Sequence, residues 1–276
     1  MSQAGVIDID GGIIPSDVPI DFVTNSGTAT ASGNVLNVIG GTTGSGNTIN
    51  VFAPNAIVTL FDDFIGAQQI SAPYLASNYG WNMGQAGPTN NLDNGHPGLI
   101  LFTNGNFNSC YLFLDESFQS SITGNSFILG GGKIVINWVF NIAILSSLAS
   151  RYILQIGMGD TQFSDQANGI YFEYSDNENS GNWIIKTASA STRTTTDTAI
   201  AVTTGWHNAQ MTINTAASSV NFTMDGVSLG NITTHIPTTS ISPFMQTIAD
   251  PDTTPATALV VYADLFYLIQ TLTTAR

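Results

Sequence analysis

The feature that most constrains this chain is an alternation of apolar and polar residues that recurs along its length. Ile134, Ile136, Trp138, Phe140 and Ile142 fall on every second position, with Lys133, Asn137 and Asn141 between them. A side-chain period of two places such a set on one face of a β-strand. The pattern returns at Tyr152, Leu154 and Ile156, and again at Ile170, Phe172 and Tyr174. Met211 and Ile213 lead through Ala216-Ala217-Ser218 to Val220, Phe222 and Met224, and Leu259, Val261 and Ala263 fit a closing strand. Asp225-Gly226 supplies the positive-φ pair of a two-residue hairpin turn. Many short strands punctuated by Gly, Asn and Asp predict an all-β fold, an antiparallel jelly-roll β-sandwich. One stretch competes: Ile142, Leu145, Ala149 and Tyr152 match helical spacing over 141–152.

The first sixty residues have a different texture. Val35–Ile39 and Thr48–Val51 read as short strands around a loop, Gly40 to Asn47, rich in Gly and Thr. Two short strands bury little apolar surface by themselves. Residues 1–60 are therefore expected to be an attachment or oligomerisation segment that gains its core from neighbouring chains, and 61–276 to form the sandwich.

Composition excludes several partners. Hydrophobic residues are 43 % of the chain and charged residues 9 %, the opposite of a disordered chain. A formal net charge of −14 with only five Lys and Arg argues against nucleic-acid binding, which needs clustered basic residues, and against anionic membranes. No run reaches the length of a membrane span, because Asn137 and Asn141 interrupt the most apolar stretch. Cys110 is the single cysteine, so the chain forms no intrachain disulfide and no Cys-based zinc site. Met1 to Asp10 lacks the basic and apolar regions of a signal peptide. Synthesis in a host cytoplasm without Sec export is the expectation.

Two stretches carry a family resemblance. Gly205-Trp206-His207 with Val220–Gly226 resembles the back-sheet hairpin of concanavalin A-like, laminin G-like jelly rolls. Asn168–Ser175 followed by Gly181-Asn182-Trp183 resembles a sandwich domain of phage tail-fibre and other virion proteins. Phe22–Ala29, Asn34–Gly41 and Gly44–Ile49 are similar to a segment that precedes distal domains in phage fibres. The resemblance implies a virion structural protein of tail-fibre, head-fibre or decoration type. It implies a homotrimer or other homo-oligomer that contacts other virion proteins and a host cell-surface glycan. The alternatives are an exported lectin-like carbohydrate-binding module and, third, a jelly-roll glycan hydrolase.

The residues favour binding over catalysis. A jelly-roll glycanase needs paired carboxylates about the scissile bond, and the laminarinase-type Glu-x-Asp-x-x-Glu does not occur; Glu173 stands alone among aromatics. His96, His207 and His235 are dispersed, no Gly-x-Ser-x-Gly elbow is present, and His207 reads as a core or sheet-edge residue. Aromatic rings stack on the apolar faces of pyranoses while amides bind hydroxyls. That chemistry nominates Tyr79, Trp81 and Trp183, with Asn90, Asn91 and Asp93 of the 84–96 loop, as ligand-binding residues; both tryptophans also fit a core role. Asp160, Asp165, Asn168, Asp176, Asn177 and Glu178 offer hard oxygen ligands for Ca²⁺. Asp176 and Glu178 are the first choice for a metal, against a plain turn role for these residues.

Overall fold

The computed structural model describes residues 29–32, 35–38, 57–64, 68–70, 74–76, 81–84, 86–89, 95–96, 98–103, 109–114, 127–149, 151–249 and 259–274. The chain divides into two units, Met1–Ala56 and Ile57–Arg276. The first contributes an antiparallel pair, β1 (Ala29–Ser32) and β2 (Val35–Val38). The strand expected at Thr48–Val51 lies outside the described residues, and β1 had no period-2 signal in its small side chains.

The second unit is a sandwich of two antiparallel sheets. Its strands are β3 (Ile57–Asp62), β4 (Gln68–Ile70), β5 (Tyr74–Ala76), β6 (Trp81–Gly84), β7 (Ala86–Thr89), β8 (Leu99–Phe102) and β9 (Cys110–Leu114). Then follow β10 (Gly132–Ile142), β11 (Tyr152–Gly159), β12 (Gly169–Tyr174), β13 (Asn182–Ser189), β14 (Thr192–Ala201) and β15 (Gly205–Ile213). The last four are β16 (Val220–Met224), β17 (Val227–Ile232), β18 (Ser242–Ala249) and β19 (Val261–Leu272). The first sheet runs β17-β16-β15-β10-β19-β8-β7, with β3 also paired to β19. The second runs β14-β13-β12-β11-β18-β9-β6-β5-β4.

The alternation in the sequence is the alternation in space. Ile134, Ile136, Trp138, Phe140 and Ile142 are fully buried between the sheets, opposite Leu154, Ile156, Ile170 and Phe172 of the second. Aromatic edges interlock at the centre. Phe172 meets Phe222 edge-on at 5.2 Å between ring centres, and Trp81 meets Trp138 at 5.6 Å and Phe266 at 5.2 Å. Such pairs add to the area term. Cys110 is buried in the same core, where loss of hydration pushes its thiol up to about 11.

The 141–152 stretch is not a helix. β10 runs on to Ile142, and the Ala143 amide donates to the Val260 carbonyl at 3.0 Å, so the backbone stays committed to its neighbour strand. The Tyr152 hydroxyl then closes the connection on the Ile144 carbonyl at 2.6 Å. Asp225 and Gly226 take φ of 52° and 79° at the β16–β17 turn, as a primed hairpin turn requires.

Replacing Phe172 by Ala removes a ring packed against both Phe222 and Trp183. Urea unfolding should show a loss of about 3–5 kcal/mol; a loss under 1 kcal/mol would mean that the two sheets do not close over this ring.

Candidate functional site

Strand register brings the chemistry to the outer face of the second sheet. One row across it is Glu173, Gln155, Gln246, Tyr111 and Gly84, and the next is Lys186, Tyr171, Gly157, Phe244 and Phe113. These positions alternate with the core residues, so their side chains leave the sheet on the opposite side. They are nevertheless buried: Gln155, Gln246, Tyr171, Phe113 and Phe244 have no exposed surface.

The connection between β11 and β12, residues 160–168, packs here through a chain of amides. Gln166 Oε1 accepts from the Asp160 and Thr161 amides at 2.9 and 2.8 Å, and its Nε2 donates to Gln155 Oε1 at 3.2 Å. Gln246 Nε2 donates to the same Gln155 oxygen at 2.7 Å, while Gln246 Oε1 accepts from the Phe163 amide at 2.9 Å. Asp160 closes the neck by accepting from the Asn168 backbone and side-chain amides at 2.9 and 2.7 Å. Gly159 permits the approach, since a β-carbon there would lie 2.1 Å from Gln166 Oε1. A buried amide costs free energy unless paired, and here each glutamine is paired on both ends.

The connection holds one apolar side chain outward. Phe163 sits at φ 60°, a left-handed conformation costly for a bulky residue, and its side chain is 41 % exposed. Its ring meets Tyr111 edge-on at 5.1 Å, and Tyr111 in turn lies over Gly84, where a β-carbon would meet the ring at 2.1 Å. Farther along the same face, over β12 to β14, is a charged cluster. Lys186 Nζ pairs closely with Glu173 Oε1 and lies 3.4 Å from Asp165 Oδ1, and Arg193 Nε is 3.6 Å from Asp165 Oδ2. Arg193 also donates to the Gln166 carbonyl at 2.9 Å. Burial pushes Glu173 up to about 7, with Lys186 offsetting part of the rise. Burial also raises Asp165, but Lys186 and Arg193 more than reverse it and hold that carboxyl below the ordinary range. Two of the five basic residues of the chain thus converge on Asp165 of this connection.

A family model, SO2946-like, C-terminal domain, matches residues 99–264, more than half of the chain and all of this site. The chain belongs to the SO2946-like C-terminal domain family. Its fold is similar to the crystal structure of SO2946, a protein of unknown function from Shewanella oneidensis MR-1. The TM-score is 0.54 at 14 % identity, over 83 % of this chain and 92 % of that one. It is also similar to the metal-free Emp46p carbohydrate recognition domain, with TM-score 0.47 and 11 % identity over 68 % and 87 % of the two chains. Peanut lectin gives TM-score 0.46 and 15 % identity over 79 % and 99 %. At these identities the likeness is one of fold. No curated protein matches.

In this SO2946-like domain, Trp81 and Trp183 are 2 % and 1 % exposed. The expectation that they bind ligand is corrected. The Trp81 indole N–H donates to Asp62 at 2.8 Å, and Trp183 packs between Phe140 and Tyr174. Neither ring offers a face to a sugar. Tyr79, Asn90, Asn91 and Asp93 lie outside the described residues.

Asp176 is likewise corrected as a metal ligand. Its Oδ1 accepts from Ser146 Oγ at 2.6 Å and Arg151 Nε at 3.0 Å, and its Oδ2 from the Arg151 fork at 3.2 Å. Burial raises this carboxyl, but the bonds from Arg151 and Ser146 outweigh it and leave it lowered. Glu178 is exposed ahead of a single 3-10 turn, Asn179–Gly181, and its side chain caps nothing there. Among the described residues no three His, Cys, Asp or Glu side chains gather as a metal site. Asp160, Asp165 and Asn168 do share one loop, where Asp160 and Asn168 fasten each other and Asp165 turns to Lys186 and Arg193. His207 is buried, with Asp225 Oδ2 at 2.7 Å and the Thr203 carbonyl at 2.8 Å. Sequence reading missed Phe163, Tyr111, Lys186 and Arg193. Lys186 was findable, because it is the one charged residue of its strand and lies off the Trp183 and Ile185 parity.

Glu173 makes stability depend on pH. Its carboxyl is raised in the folded state, so the folded protein holds a proton that the unfolded chain releases. The contribution is fully present below the ordinary carboxylate value of roughly 4.3, and it is lost as pH rises through about 7. Melting temperature should therefore fall between about pH 5 and about pH 7.5, and Glu173→Gln should flatten that fall. An unchanged slope in the variant would remove Glu173 as the source.

Proposed function

We propose that the sandwich is a non-catalytic carbohydrate-binding module whose ligand seat is the Phe163–Tyr111 pair with the adjacent Asp165–Arg193 edge. The observation that carries this reading is Phe163 itself. A large ring is held in a costly backbone conformation, half in water, by a bonded amide chain that reaches back into the sheet. A domain gains nothing in stability from exposing a phenyl ring in this way. A flat apolar face beside polar groups is what stacking on a pyranose requires, and the exposed Ser164 and Asp165 follow Phe163 directly in the chain.

The charged cluster favours binding over hydrolysis. Asp165 and Glu173 are the two carboxylates here, and both are engaged by Lys186. Neither is a free acid and base pair of the kind that glycoside cleavage needs.

A virion setting is the second reading. It is favoured by the resemblance of residues 22–49 to segments that precede distal domains of phage fibres. Many copies on a particle would raise a weak single-site affinity through avidity. Co-sedimentation of the chain with purified particles tests that setting separately from ligand chemistry.

The test of the main reading is glycan-array screening followed by titration of the best ligand. Phe163→Ala should lower affinity about tenfold, the equivalent of roughly 1.4 kcal/mol, while Phe163→Trp keeps binding. Both variants should melt close to the unsubstituted protein. Binding that is indifferent to Phe163, or no retained glycan at all, would refute the assignment.

A further inference from the structure

The first sheet presents an outer face of a different kind. Six apolar or aromatic side chains, Phe61, Leu265, Tyr267, Ile269, Val135 and Val139, sit on adjacent strands β3, β19 and β10. Phe61 is 52 % exposed and Ile269 is 38 % exposed. Their rows continue into neutral amides and hydroxyls, Asn137 to Gln210 and Val135 to Thr212. No charged side chain occurs in these rows, and the next row adds only Lys133. Contiguous exposed apolar surface of this kind marks a contact site more often than bare solvent-facing sheet.

We infer that this face is where a second copy of the chain docks, sheet against sheet. Charge selects the occupant. The chain carries −14; the exposed carboxylates Asp165, Glu178 and Asp197 belong to the second sheet or its connections, and Asp225 stands at the remote β16–β17 turn of the first. A basic partner would be drawn there. Two like copies repel each other at every acidic surface, and least at a face whose described carboxylate, Asp264, is already paired with His96 at 2.7 Å. Extent agrees. Five strands at about 4.8 Å spacing, β3 to β16, and a β10 about 35 Å long give on the order of 800 Å². That is about what each partner contributes to an interface of standard size.

Sedimentation or light scattering of the full chain over about 1–100 µM tests this, using Ile269→Lys and Phe61→Lys separately. Both positions are exposed, and far-UV dichroism and melting confirm the fold of each variant. The unsubstituted chain should associate, more tightly as salt screens its net charge. Ile269→Lys should weaken that association at least about tenfold, and Phe61→Lys should do the same. Thr192→Lys, exposed on β14 of the second sheet, should leave it unchanged. A monomer throughout the range, association in either face variant as tight as in the unsubstituted chain, or an equal loss from Thr192→Lys would overturn the proposal.

Discussion

The burial of alternate side chains along β10 governs the rest of this molecule. Its five inward residues fill the middle of the interior, and β15 and β19 lie on either side of it over nearly its whole length. Because the side-chain period is two, a slip of one residue would turn every one of them outward. Register is therefore fixed by the apolar set, and the remaining parity of every strand inherits its position. The outer faces are consequences of this: one collects Gln155, Glu173 and Lys186, the other Val135, Asn137 and Val139. Each face then has its own physics, polar and roofed on the second sheet, apolar with few charges on the first.

The roofed face stores its specificity in hydrogen bonds. Three glutamines and an ion pair are buried beneath the 160–168 connection, and hydrophobic residues of equal size would often be at least as stable in such positions. What amides add is direction. Gln246 accepts from one backbone amide, that of Phe163, and Gln166 accepts from two others at the neck. The connection therefore has one bonded path rather than a range of greasy ones, and Phe163 is held at a φ it would not choose alone. Lys186 ties the same network to β13 through Glu173, which links the seat of the ring to the sheet's own backbone pairing.

Most of the fold could be read in the sequence because its strands are sided. Ile134 to Ile142, Tyr152 to Ile156 and Ile170 to Tyr174 declared their faces by alternation, and Asp225-Gly226 declared a turn. The residues of the proposed seat were harder to see, for an instructive reason. Trp81 and Trp183 have the right chemistry for sugars but sit at inward parity, and size alone draws such rings to the core. Asp176 looked like a ligand until Arg151, distant in sequence, proved to be its partner. Phe163 lies in a nonperiodic stretch between two strands, so no pattern marks it. Its role comes from the Tyr111 and Gln246 contacts, made across 52 and 83 positions of the chain. Contacts of that span are invisible to a local reading.

The way the 160–168 connection is fastened divides its labour along the chain. Asp160, Gln166 and Asn168 hold the neck, and their side chains are spent on that task. Gln162, Phe163 and Ser164 form the crown; the Phe163 amide and the Ser164 carbonyl bond to Gln246 of the sheet, through backbone atoms that any side chain leaves in place. The side chains at these positions can drift without disturbing the scaffold beneath. A lineage carrying this domain can therefore change the chemistry of this surface by a few substitutions at the crown, on an unaltered foundation.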